Sequence, residues 1–105
     1  MLTIVGQCHC GNLQHTLTLA THIKHLSVLL CSCSYCRLHS PQWLGKPVLA
    51  CHLRAEQASE FKPYRFASPS VDYVLCSHCG VLMSSVTWID QHLYMAVNAA
   101  TLILP

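Results

Sequence analysis

Seven of the eight cysteines fall into three groups, and their spacing constrains this chain more than any other feature. The groups are Cys8-His9-Cys10-Gly11, Cys31-Ser32-Cys33-Ser34-Tyr35-Cys36 and Cys76-Ser77-His78-Cys79-Gly80. Two sulfurs separated by one or two residues can share a tetrahedral metal, and a glycine after the second relieves the tight turn. The outer groups therefore predict a closed, structural four-sulfur site from Cys8, Cys10, Cys76 and Cys79, tying the two ends of the chain. The central group holds three donors, Cys31, Cys33 and Cys36. Three protein ligands with a free fourth position is the arrangement of catalytic zinc, where water or substrate completes the tetrahedron. Two residues could instead close that site and make it structural: His39, three residues after Cys36, or Cys51. Cys51 has no knuckle partner and reads more simply as a small buried hydrophobe.

At 105 residues the chain has room for one domain, 1–105. A domain of that size buries limited apolar surface, so a metal staple has a clear physical use. The N-terminus, Met1-Leu2-Thr3-Ile4-Val5-Gly6, lacks a basic segment and a long apolar run, so no signal peptide is expected. A cytoplasmic setting follows as the expectation, with metal-bound rather than disulfide-paired cysteines. Apolar residues make up 52%, yet no run reaches the roughly 18 to 20 needed to cross a bilayer, so no membrane association is expected. The formal charge of +2 assumes neutral thiols. Seven thiolates and two Zn²⁺ would carry it to about −1. With six Lys and Arg scattered along the chain, no basic patch supports nucleic-acid binding.

The rest of the chain reads as short strands. Leu13, Leu17 and Leu19 share one face with His15 and alternate with threonines, a half-buried strand. Further strands are expected over Leu26–Leu30, Val71–Leu75, Val81–Ile89, Leu93–Val97 and Thr101–Leu104, with a turn at Asn98. The apolar runs Val28–Cys31 and Thr101–Pro105 suit buried strands. Tyr64 and Phe66 alternate as core residues, and Leu82 and Met83 read as packing. The one expected helical turn is Arg54–Phe61, which carries Ala, Glu and Gln.

Three motifs in this order resemble the glutathione-dependent formaldehyde-activating enzyme family, also called the GFA or centromere-protein-V type. They stand as Gly6-Gln7-Cys8-His9-Cys10-Gly11, then Cys31-Ser32-Cys33-Ser34-Tyr35-Cys36-Arg37-Leu38-His39-Ser40, then Tyr64-Arg65-Phe66 through Cys76-Ser77-His78-Cys79-Gly80, covering about Gly6 to Leu104. The resemblance implies a mainly β, Mss4-like fold of short antiparallel sheets organised around zinc knuckles. It implies a structural Zn²⁺ on Cys8, Cys10, Cys76 and Cys79 and a second, catalytic Zn²⁺ on Cys31, Cys33 and Cys36. The implied reaction is that of a carbon–sulfur lyase, like S-(hydroxymethyl)glutathione synthase, with a small thiol and a small aldehyde as substrates. The chain departs from the family at Leu38, where a second basic residue is usual, and over Pro41-Gln42-Trp43-Leu44-Gly45. Recognition of glutathione's carboxylates would fall to Arg37, Lys46, Arg54, Lys62 or Arg65, and nothing in the sequence selects among them.

Simpler roles stand beside these. His9, His52 and His78 flank cysteines and are expected to point away from the metals. His15, His22, His25 and His92 read as strand or surface residues. Arg37 could bind a carboxylate or offset zinc–thiolate charge, and Trp43 could line the open site or pack in the core. The alternative function is a non-enzymatic zinc module that binds a protein partner.

Overall fold

In the computed structural model, which describes residues 2–20, 27–45, 48–65 and 71–103, the fold grows from two hairpins that turn on cysteine. Strand β1 (Leu2–Gln7) pairs antiparallel with β2 (Leu13–Leu19). Between them the Cys8 amide donates to the Leu13 carbonyl, the Gly11 amide to the Cys8 carbonyl, and the Leu13 amide to the Cys8 sulfur. The other hairpin repeats this design. β7 (Val71–Cys76) and β8 (Leu82–Ile89) are joined by a turn in which the Cys76 amide donates to the Val81 carbonyl and the Gly80 amide to the Cys76 carbonyl. Gly11 and Gly80 have φ of 84° and 81°, a region that a side chain disfavours.

Each hairpin is the centre of a four-stranded sheet. β10 (Leu102–Ile103) borders β1, and β5 (Val48–Ala55) borders β2. In the second sheet β6 (Phe61–Tyr64) borders β7, and β9 (His92–Val97) borders β8. β3 (Val28–Leu29) and β4 (Trp43–Leu44) form a small ribbon beside them. The fold is mainly β, with antiparallel pairing in every sheet. Three apolar groups join the sheets: Ile4, Leu17 and Leu19 with Leu44 and Val97; Leu13 with Val74 and Met83 around Cys8 and Cys76; and Cys36 with Trp43 and Leu82.

The structure corrects several expectations. The α-helix is α1 (Ser34–His39), inside the central cysteine group, where the Cys33 sulfur accepts from the Cys36 amide and Ser40 ends the helix at φ 52°. Over Arg54–Phe61 the chain instead finishes β5 and makes only a 3₁₀ turn, Ala58–Glu60. Strands β1, β4 and β5 were not expected. Val28–Cys31 is not buried: Leu29 and Leu30 are 61% and 79% exposed. Tyr64 is also exposed, at the edge strand β6. Leu26, Phe66, Leu104, Lys46, His22 and His25 lie outside the described residues. No helix among the described residues is long and apolar enough to cross a membrane.

Gly6, in the first motif, is required by close approach rather than by turn geometry. A Cβ there would lie 2.7 Å from the Thr101 backbone oxygen and 3.0 Å from His15 Cδ2. Gly6→Ala is expected to push β10 from β1 and destabilise the fold by about 1–3 kcal/mol. A wild-type denaturation midpoint would refute that account.

His15 is buried beside it. The Thr101 hydroxyl donates to the Asn98 carbonyl, so it accepts from His15 Nε2–H at 2.9 Å. This fixes the neutral tautomer, with Nδ1 unpartnered among the described residues. Burial lowers the His15 pKa to about 4, below the roughly 6.5 of an exposed imidazole. As pH falls, the unfolded chain therefore takes the proton first. The stability due to neutral His15 is complete above about pH 6.5 and falls towards pH 4, by at most about 1.4 kcal/mol per pH unit. Over that range the denaturation midpoint of wild type should fall with pH more steeply than that of His15→Leu. Parallel curves would contradict it.

Candidate metal centres

The two knuckle hairpins bring Cys8, Cys10, Cys76 and Cys79 together, with all four sulfurs within 4.8 Å of one another. The Cys10 sulfur stands 3.6 Å from those of both Cys8 and Cys76. A tetrahedral zinc with Zn–S bonds of about 2.3 Å would set its sulfurs about 3.8 Å apart, so the donor set fits such an ion. Cys8 and Cys76 are buried, Cys79 is half-buried and Cys10 faces solvent.

The electrostatics of the four thiols call for a cation. Burial opposes ionisation of Cys79, but backbone hydrogen bonds from Cys10 and Val81 and the Cys8 and Cys76 thiols outweigh it, lowering its pKa to about 6. At Cys10 a backbone hydrogen bond from Asn12 favours the thiolate. Desolvation and the neighbouring Cys76, Cys8 and Cys79 sulfurs overcome it and push Cys10 up to about 12. One negative charge forms readily here and the next is resisted, which a divalent cation would reverse.

Cys31, Cys33 and Cys36 form the second cluster, again with sulfurs within 4.8 Å. Cys31 is exposed at the end of the segment following β3, Cys33 caps α1, and Cys36 is buried in its first turn. A hydrogen bond from the Cys36 backbone leads the effects that lower Cys33 to about 7, whereas desolvation pushes Cys36 up to about 11. Among the described residues no fourth Cys, His, Asp or Glu joins this cluster. His39, one expected closer, stacks on Tyr35 with ring centroids 4.4 Å apart. Cys51, the other, lies on β5 with its sulfur 3.2 Å from that of Met95.

Tyr73 was not singled out by its sequence. β7 places its hydroxyl 3.9 Å from the Cys33 sulfur, and its ring packs on Tyr35 at 4.3 Å. Burial and the adjacent cysteines raise its pKa, so the phenol keeps its proton at neutral pH. No local motif marks such a residue, because it reaches the cluster only through strand pairing.

A cavity of about 480 Å³ opens beside Cys31 and Cys36, lined also by Leu29, Leu30, Trp43, Val71, Tyr73, Ser85, Thr87 and Ala96. Trp43 thus serves both expected roles, buried and lining. Of the candidate carboxylate binders, Arg65 is held bidentately by Asp72 at 2.7 and 2.8 Å. Arg54 is held by Gln14 and Glu56. Lys62 lines a different cavity, with Tyr35, His39 and Tyr64, and Arg37 is exposed on α1.

The family model described as glutathione-dependent formaldehyde-activating enzyme matches residues 3–103. The fold is similar to the crystal structure of a Rhodobacter sphaeroides protein, at a TM-score of 0.72 and 21% identity over 96% of this chain and 91% of that one. No curated protein matches the chain.

Proposed function

Because the chain belongs to the glutathione-dependent formaldehyde-activating enzyme family, we propose that it is a zinc-dependent carbon–sulfur lyase handling adducts of a small aldehyde with a thiol. Cys8, Cys10, Cys76 and Cys79 would hold a structural zinc, and Cys31, Cys33 and Cys36 a second zinc that would serve the reaction. The observation that carries this reading is the three-sulfur cluster beside a cavity, without a fourth donor among the described residues. Zinc there would supply Lewis-acid polarisation and stabilise a thiolate at neutral pH.

In the forward direction the substrate sulfur attacks the aldehyde carbon. A carbon–sulfur bond forms, the carbonyl π bond breaks, and the proton lost by the thiol ends on the new hydroxyl. Nothing is oxidised or reduced. The cavity walls would hold the two reactants together, and the protonated Tyr73 hydroxyl can donate to the developing oxyanion. The family's thiol is glutathione and its aldehyde formaldehyde by name; a cytoplasmic setting would supply thiols in reduced form.

Zinc X-ray absorption of the loaded protein, with and without added thiol, tests the open position. The second site should gain one sulfur neighbour while the first stays at four, and the same preparation should consume thiol and formaldehyde together. A fourth protein donor at the second site and no response to thiol would favour the non-enzymatic, partner-binding module instead.

A further inference from the structure

Resting on the lyase reading, we infer that the thiol taken at the three-sulfur site is uncharged and largely apolar, unlike glutathione. The cavity touching Cys31 and Cys36 has the volume of an ordinary small-molecule site. Its walls are Leu29, Leu30, Trp43, Val71, Tyr73 and Ala96, and the other lining residues, Ser85 and Thr87, offer only neutral hydroxyls. Its mouth is apolar as well, since Leu29 and Leu30 are largely solvent-exposed.

Glutathione carries two carboxylates and one ammonium six to eight bonds from its sulfur. With the sulfur at this cluster those charges would lie in or across the apolar walls. No Lys or Arg lines the cavity among the described residues, which leave out Lys24 and Lys46. Arg37 is exposed on α1 outside the lining, Arg54 and Arg65 already have carboxylate partners elsewhere, and Lys62 serves another cavity. Desolvating a carboxylate without a partner is costly, whereas an aromatic or branched alkyl thiol would cover Leu29 and Leu30 and stack on Trp43 and Tyr73. The apolar run at Val28–Leu30 thereby gains a use that its exposure otherwise leaves without explanation.

Calorimetric titration of the zinc-loaded protein with glutathione, glutathione diethyl ester and benzyl mercaptan reads this directly, and formaldehyde consumption is followed in parallel. The diester should bind on the order of tenfold more tightly than glutathione, with benzyl mercaptan at least equal to the diester. Thr87→Lys, placing a cation on the cavity wall, should narrow that preference. Tighter binding of the diester and benzyl mercaptan than of glutathione, without turnover of any of them, would sustain this inference and sink the lyase reading. Glutathione binding as tightly as its ester, a preference unmoved by Thr87→Lys, or no thiol binding at all would each overturn the inference, whether or not formaldehyde is consumed.

Discussion

Cys76→Ser is expected to leave the chain unfolded at room temperature, with a far-UV circular dichroism spectrum lacking β structure and with the structural zinc lost. Cys76 ends β7 at zero exposure, and its sulfur lies in the cluster that joins the β1–β2 turn to the β7–β8 turn. Each turn belongs to a different sheet, so the bound ion would cross-link the two halves of the fold. Structural zinc contributes about 10–16 kcal/mol of apparent binding free energy in small peptides. Whole domains are stable by only about 5–15 kcal/mol. The apolar groups between the sheets are small, and Cys8 and Cys76 themselves help fill one of them. A serine hydroxyl there is a poorer ligand and a buried polar group. Chelator treatment of wild type should give the same spectrum. A cooperative melt within a few degrees of wild type would mean that the sheets hold without the ion.

Cys33→Ser should behave oppositely, keeping the fold and losing the second metal and the chemistry. Its cluster lies on α1 and the segment after β3, with Cys33 itself only half-buried, and does not join the two knuckle hairpins. Serine is itself a favoured N-cap, so its hydroxyl can accept the Cys36 amide hydrogen bond in place of the sulfur and the start of α1 is kept. Losing an outer-shell partner of a metal typically costs 10–100-fold in affinity or activity, so losing a direct ligand should cost more than about 100-fold in turnover. Zinc content should fall from two ions per chain to one while the melting temperature drops by a few degrees. Cys51→Ser, whose sulfur contacts Met95 rather than either cluster, serves as the control and should keep both ions. Unchanged thiol–aldehyde turnover in Cys33→Ser with the second ion absent would exclude a reaction at that site.

The contrast between what could be read from the chain and what could not follows from interaction range. β2 was legible because Leu13, Leu17 and Leu19 repeat with a strand's period, and β7, β8 and β9 because short runs of apolar and β-branched residues flank and follow the third cysteine group. β5 was not: Leu49 faces solvent while Cys51 and Leu53 are half-buried, so its alternation carries little contrast. α1 is only six residues long, too short for a helical period, and is nucleated by a capping sulfur that sequence reading had spent on metal binding. Gly6 looked like part of a knuckle and is instead the point where β10 crosses close to β1.

Knuckle spacing is a local property, so the amino-acid order alone determined which cysteines share a knuckle and predicted one group of four donors and one of three. The meeting of the first and third knuckles came from the packing of two hairpins. Everything around those donors depended on strand pairing. Register between β7 and β8 and the position of β7 beside α1 put Tyr73 against Cys33; packing of Trp43 on Cys36 and Leu82 shaped one wall of the cavity; and the same pairing kept His39 and Cys51 away from the three-sulfur cluster. Metal ligands one to three residues apart are set by bond geometry, but the walls of a site come from residues tens of positions apart, and only the tertiary fold brings those into contact.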